Sequence, residues 1–331
     1  MSYDRGKVIL VSSWDTMCGI AIYTKDLLRE LEKLDDGRFV DRFVVKDVKS
    51  LKHRIKNKNG VTHLQHEFGI MPKPPKIEGN VIVTFHTIPI NIGTTLRAFE
   101  SAIDISGYIV PCPGALDYMT GNTKKDVYVV SLGSQLISDE NPEITKEEAR
   151  SRLGIPEHGI GDMPIGFVFG FQSRNKNYER LLQAAINTGI HLVISGSVHN
   201  CGYRSDVTNN DNVTILGKHL SDEEIDLYAL ASDLLLYDYT EQEHYSASAS
   251  LHRTIGAGRP VIAVDTKHFN DIKEKESCLK FSTQRELEMD IWYALANQES
   301  LGKASLEYAR KTSWRESAIQ HIEIYGKYMN L

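Results

Sequence analysis

The sequence predicts an α/β protein built from two Rossmann-like, doubly wound domains, and three observations carry that expectation. Short apolar runs of strand length alternate with segments of helical periodicity along most of the chain. The alternation breaks at a Gly/Pro-rich stretch, 153–162, and then restarts. The length, 331 residues, suits two domains of about 150 residues each. Two such domains facing a cleft would make the space between their strand ends the default site.

The first half opens with 7–12, KVILVS, an unbroken apolar run that reads as a buried strand. After a loop at 14–19 an amphipathic helix begins near Ile20, with Ala21, Leu27, Leu28, Leu31 and Leu34 at helical spacing. Further strands are predicted at 39–45, 61–66, 81–86, 107–111 and 127–131. The basic run Lys46, Lys49, Lys52, Arg54, Lys56 and Lys58 reads as a solvated helix face, with contact to an anionic membrane surface or a phosphorylated acceptor as its alternative. In the second half the pattern gives a strand at 164–171, a helix at 178–187, strands at 191–195 and 213–216, a helix at 222–231 and a strand at 234–237. Asp222, Glu223 and Glu224 suit the positive end of the helix they open. A polar loop, 239–245, then leads to small residues forming a short helix, the turn 256–260 and a strand at 261–264. A last amphipathic helix is predicted from Trp314 to Tyr328.

Composition excludes several classes. A net charge of −6 argues against a nucleic-acid binder. Cys18, Cys112, Cys201 and Cys278 are scattered without a C-x-x-C pair, which suggests reduced thiols in a cytoplasm. No stretch approaches the roughly 20 apolar residues of a membrane span, so at most peripheral membrane contact is expected. There is no D-x-D triplet, no G-x-S-x-G elbow and no G-x-G-x-x-G turn, which disfavours a metal-bridged diphosphate, a serine hydrolase and a dinucleotide oxidoreductase respectively. Neither a metal nor a cofactor is expected.

Several segments carry a resemblance. Ser246-Ala247-Ser248-Ala249-Ser250-Leu251 followed by Gly258-Arg259-Pro260-Val261-Ile262 resembles the donor-phosphate helix and turn of the retaining, GT-B-fold family-4 glycosyltransferases. Cys18-Gly19-Ile20-Ala21, Gln65-His66-Glu67-Phe68-Gly69, Thr84-Phe85-His86-Thr87 and Gly170-Phe171-Gln172-Ser173-Arg174-Asn175-Lys176 match further segments of that family. The resemblance implies a GT-B fold, with an acceptor domain at 1–157 joined by the terminal helix 314–331, and a nucleotide-sugar domain at 163–312. It implies that Arg174 and Lys176 neutralise the leaving diphosphate, that His86 lies beside the sugar, and that Gly19, Ser173, Gly196, Lys218, Ser246, Ala247 and Ser248 bind the donor. Cys18, His66 and Glu67 would meet the acceptor. The family has two glutamates eight residues apart, where this chain has Tyr245 and Arg253; Glu243 or Glu241 could substitute.

The expected function is therefore transfer of a sugar, with retention and without metal, from a nucleotide diphosphate sugar to a glycan, lipid or small-molecule acceptor. Arg253 in place of a glutamate favours one alternative, a non-catalytic relative that binds a nucleotide sugar or glycan. A nucleotide-sugar epimerase of the same fold is the other.

Overall fold

The computed structural model describes residues 7–13, 18–34, 43–47, 55–67, 75–155, 163–172, 175–195, 211–241, 243–272 and 275–329. The chain divides into two units. The first comprises Met1–Gly133, Gln242–Ala247 and Thr312–Leu331, and the second Ser134–Glu241 and Ser248–Lys311.

In the first unit, strands β1 (Val8–Ser12), β2 (Phe43–Asp47), β3 (Ile55–His66) and β4 (Ile77–Phe85) are all parallel. A short β5 (Thr87–Pro89) follows, and then β6 (Ile105–Val110) and β7 (Asp126–Val129) complete a six-stranded sheet in the order β2-β1-β3-β4-β6-β7. Because successive side chains point to opposite faces of a strand, the sheet feeds two cores. Val8, Leu10, Ile82 and Ile109 face one, which contains Tyr23, Leu27 and Leu31 of α1 (Gly19–Leu34). Ile9, Val11, Val81, Val83 and Tyr108 face the other, with Leu96 and Phe99 of α2 (Gly93–Ala102) and Ala115 and Met119 of α3 (Pro113–Thr120).

The second unit opens with α4 (Ile137–Glu140) and α5 (Lys146–Arg152), followed by β8 (Ile165–Val168), α6 (Tyr178–Thr188), β9 (His191–Ile194), β10 (Val213–Ile215), α7 (Asp222–Ala231) and β11 (Leu234–Tyr237). The chain then contributes β12 (His244–Ser246) to the first unit, antiparallel to β5 with Ser246 opposite Thr87. Returning, it forms α8 (Ala249–Thr254), β13 (Val261–Val264), β14 (Leu279–Phe281), α9 (Gln284–Ala296) and α10 (Gln298–Lys311). Its sheet is parallel in the order β10-β9-β8-β11-β13-β14. Capping boxes start α7 (Ser221 with Glu224) and α9 (Thr283 with Glu286). Buried Asp233 fixes the start of β8, accepting from Ile165 N (2.7 Å), Lys146 Nζ (2.8 Å) and Arg150 Nη2 (2.6 Å).

The final helix, α11 (Trp314–Tyr328), packs on α1 in the first unit, burying Ala318, His321, Ile324 and Tyr325.

The fold differs from the sequence reading in places. Lys56 and Lys58 stand exposed on β3, whose side chains alternate in and out from Ile55 to Lys58, so this part of the basic run is strand and not a helix face. Lys49, Lys52 and Arg54 lie outside the described residues. Strand β12 occupies part of the predicted polar loop. Among the described residues no helix is long and apolar enough to cross a membrane.

Candidate functional site

Strand order singles out one point in each sheet. In the second unit the chain winds outward from β8 through β9 to β10, then crosses to β11 on the other side of β8. In the first it passes from β1 to β2 and then crosses to β3. At such a switch point the loops after the two central strands part, leaving a crevice outside their carboxyl ends. The loops after β8 and β11, and those after β1 and β3, are therefore where ligands can be met by backbone and side chains of several elements.

After β8 the backbone turns at Gly170, with φ +117, in a region side-chained residues rarely adopt. A Cβ there would lie 2.3 Å from Ser250 Oγ and 2.7 Å from Lys176 Nζ, so glycine lets three groups converge. Lys176 is only 6% exposed. Its ammonium donates to the Phe169 carbonyl (3.2 Å) and lies over the Tyr239 ring, 5.3 Å from the centroid. Among the described residues no carboxylate stands within ion-pair distance of it. The loop is pinned to the end of β11: Thr240 N donates to Asn175 O (2.8 Å), Asn177 N to Asp238 O (3.1 Å) and Asn177 Nδ2 to Asp238 Oδ1 (2.9 Å). Asp238, buried, also takes the fork of Arg180, whose pKa it raises. Among the described residues this buried ammonium therefore has a carbonyl and an aromatic face beside it but no carboxylate, and a buried charge of that kind is costly until an anion offsets it.

The other donor-side expectations scatter. Ser173, Arg174 and Gly196 lie outside the described residues. Lys218 is exposed and paired with Glu224, inside the cap of α7. Ser248 caps α8, accepting from Leu251 N (3.3 Å), whereas Ser246 and Ala247 belong to the first unit. Glu243 is also in the first unit, with its carbonyl bonded to Ile90 N (3.2 Å) and the residue exposed. Glu241 pairs with Lys267 (3.0 Å) on the surface. Arg253, at the position of the family's second glutamate, turns to α7 and pairs with Asp226 at 2.6 Å.

In the first unit the ends of β1, β3 and β4 gather Cys18, Gly19, Glu67 and His86. Cys18 Sγ lies 3.0 Å from Ser13 Oγ. Gly19 opens α1, whose first turn carries no acidic residue, and a Cβ there would meet nothing within 4 Å. Glu67 Oε2 accepts from Thr87 Oγ1 (2.9 Å), on the strand that pairs with Ser246. His66 is elsewhere: its ring is buried edge-on against Phe85 and Phe99.

His86 is part of a buried network that sequence reasoning did not find. Its Nε2–H donates to Gln65 Oε1 (2.8 Å), which leaves Nδ1 as an acceptor. The Gln65 amide nitrogen lies 3.2 Å from His63 Nε2, and His63 Nδ1 and Nε2 bond the hydroxyls of Tyr325 (2.7 Å) and Thr84 (2.6 Å). The His86 ring meets Tyr23 edge-on at 4.7 Å. The Tyr23 hydroxyl donates to His321 Nε2 (3.4 Å), since His321 Nδ1–H is used on the Ser317 carbonyl (2.7 Å). Burial, with the charge of His66 second, lowers the pKa of His86 to about 3. Burial lowers His321 to about 4 and holds His63 well below its ordinary value. All three imidazoles are neutral near pH 7.

A second buried line, in the second unit, joins Ser134 Oγ to His252 Nδ1 (2.8 Å) and His252 Nε2 to Asp271 Oδ2 (2.6 Å). It has the membership of a hydrolase triad, but Ser134 is only 1% exposed, so no substrate reaches its hydroxyl. It ties the start of the unit to α8. Among the described residues no group of three or more His, Cys, Asp or Glu is arranged to hold a metal ion.

No protein family and no curated protein sequence matches this chain. Solved structures do match. A glycosyltransferase from Rickettsia africae ESF-5 superposes with a TM-score of 0.71 at 14% identity, covering 99% of this chain and 100% of the other. HepE from Anabaena, in complex with UDP-glucose, gives 0.66 at 13% identity, covering 98% and 100%. The UDP-forming α,α-trehalose-phosphate synthase from Burkholderia xenovorans, in complex with glucose-6-phosphate, gives 0.59 at 8% identity, covering 92% and 77%. At these identities the likeness is one of fold, and the fold is that of GT-B glycosyltransferases.

Proposed function

We propose that the protein is a glycosyltransferase that moves a sugar from a nucleoside diphosphate sugar to a glycan, lipid or small-molecule acceptor, with retention and without a metal. The observation that carries this reading is Lys176, a buried ammonium with no carboxylate beside it among the described residues, set against a glycine of positive φ and a serine hydroxyl at the switch point of the second sheet. Breaking the bond between a sugar and a diphosphate builds negative charge on the leaving phosphate. A fixed cation in a partly water-excluded site lowers that barrier most effectively. The positive φ of Gly170 would let the backbone come close to the phosphates.

Neutral His86 would accept a hydrogen bond from a sugar hydroxyl at Nδ1, since its other nitrogen is held by Gln65. The leaving phosphate itself would take the acceptor's proton on the face it departs from. UDP-glucose, bound by HepE, is the first donor to test.

The test is calorimetric titration of nucleoside diphosphates and nucleotide sugars, without added metal, on the wild type and on Lys176→Ala. Saturable binding of one nucleotide, lost in the variant, followed by anomeric analysis of the transfer product, supports the reading. Unchanged binding in the variant overturns the donor assignment.

A specific observation favours a second reading, a non-catalytic nucleotide-sugar or glycan binder. Arg253, where the family has its second glutamate, is committed to Asp226, and Glu241, one of the two glutamates that could substitute, is committed to Lys267. Nucleotide-sugar binding without hydrolysis or transfer to any acceptor tried would decide for it.

A further inference from the structure

We propose that the second unit carries another anion site, at the amino ends of its strands and away from the Lys176 loop, and that it takes a small phosphate monoester. A depression of about 400 Å³ opens there between α4, the start of α5, the turn 257–259 and α10. Arg259 stands two residues before β13, and Leu230, on the same rim, lies near the end of α7 before β11. These residues mark the amino ends of the strands whose carboxyl ends point toward the candidate donor loop. The β strands between are four residues long, about 13 Å.

The lining is cationic. Lys146, Arg259 and Lys303 contribute, and no lining residue is acidic. Lys146 is already paired with Asp233. Arg259 is not paired: among the described residues one of its five N–H groups has an acceptor, the Leu230 carbonyl at 2.6 Å, while its Nε is buried without one. No carboxylate among the described residues comes within ion-pair distance of Arg259 or Lys303. Burial lowers the pKa of Arg259, the effect of desolvation outweighing the nearby charges of Asp233 and Glu147.

The backbone holds this arrangement open. Ser305 Oγ donates to the Arg259 carbonyl (2.8 Å), and Ser138 Oγ to the Ala257 carbonyl (2.8 Å). A Cβ on Gly302 would lie 2.3 Å from the Gly258 oxygen, so the absence of a side chain lets α10 approach the turn. A guanidinium with spare donors and an ammonium lining the same depression make an arrangement suited to a phosphate dianion. The volume falls at the lower end of ligand pockets, roughly 300–1,000 Å³, which admits a phosphate together with a small organic body.

The experiment is titration calorimetry of the full chain with inorganic phosphate and with glucose 6-phosphate as probes, in the Lys176→Ala background so that the candidate donor loop does not contribute. Both probes are expected to saturate one site, glucose 6-phosphate more tightly. Adding Lys303→Ala, a change on an exposed helix position, should weaken binding at least fivefold, and Arg259→Gln should abolish it. Circular dichroism confirms that each variant is folded; if Arg259→Gln is not, Lys303→Ala and Lys303→Glu decide. Absence of saturable binding, or binding unchanged by the Lys303 variants, overturns the site. Equal affinity for phosphate and glucose 6-phosphate overturns the monoester. Because the background lacks Lys176, failure here leaves the glycosyltransferase reading untouched.

Discussion

The buried imidazoles of the first unit predict an acid-labile half of the protein. His63, His86 and His321 fold neutral, with pKa values lowered by burial to about 3 for His86, to about 4 for His321 and well below 6.5 for His63. In the unfolded chain each titrates near 6.5. Below that value the unfolded state binds protons that the folded state refuses, so stability falls as pH falls, and the loss ends only at the folded values. At pH 5 each histidine has lost about 1.5 pH units of linkage, or about 2 kcal/mol, whatever its exact folded pKa. Three together remove about 6 kcal/mol, comparable with the whole stability of an ordinary domain. In the second unit His191, lowered by burial, and Asp290, raised by burial to about 6, pull in opposite directions. Hydrogen exchange read by mass spectrometry at pH 7, 6 and 5, corrected for intrinsic rates, separates the units. Peptides from β3 and α11 should lose protection steeply while those from β8 and β13 change little. In His321→Gln the slope for the first unit should drop by about a third. A fall of less than about 2 kcal/mol in the opening free energy of α11 between pH 7 and 5 would refute the reasoning.

Other expectations follow from single residues. Lys176→Met should abolish nucleotide binding yet raise the melting temperature of the ligand-free protein by a few degrees, about 1 kcal/mol, because it removes a buried charge that has a carbonyl and an aromatic ring but, among the described residues, no carboxylate to offset it; a lower melting temperature would show that the ammonium is already satisfied. Gly170→Ala should cost about 1–3 kcal/mol through its positive φ and displace Lys176, so stability and nucleotide affinity fall together; calorimetry beside thermal unfolding checks this. Arg253→Ala should lower stability by about 1–2 kcal/mol through loss of the Asp226 pair while leaving nucleotide binding intact; an affinity loss in a folded variant would place Arg253 at the ligand. Asp233→Asn should be among the most damaging changes, about 3–5 kcal/mol, since it strands Lys146 and Arg150 beside the first residue of β8; urea titration measures it.

Much of this architecture was legible because the elements announce themselves locally. The runs at 8–11 and 234–236 have no polar interruption, and the last helix was readable to its ends, Trp314 to Tyr328, from period alone. What was missed depended on partners distant in sequence. His244–Ser246 has no strand signature and becomes β12 only by pairing with Thr87–Pro89. Helices α9 and α10 passed unnoticed although Thr283 and Glu286 spell a capping box. At the candidate site, Lys176 could be singled out by its place in a strand-end loop. Its cradle of Tyr239, Ser250 and the Phe169 carbonyl comes from three separate strand ends and helix starts. His66 and Glu67 look like one motif in sequence, but the strand ends between them, and one packs against Phe85 and Phe99 while the other bonds Thr87. The role of Gln65 could not be read at all, because it exists only once His63 and His86 stand on adjacent strands.

The docking of α11 on α1 also has a consequence for biosynthesis. His63 bonds to Tyr325, 262 residues further along, and Tyr23 to His321, 298 residues further along. While the chain is being translated, one of the first unit's two cores therefore stays open until α11 has emerged from the ribosome. The second unit has no such debt to the terminal helix and can close earlier. That core of the first unit is thus expected to mature after the second unit's, and the exposed β1, β3 and β4 are the segments on which a nascent-chain chaperone would be found.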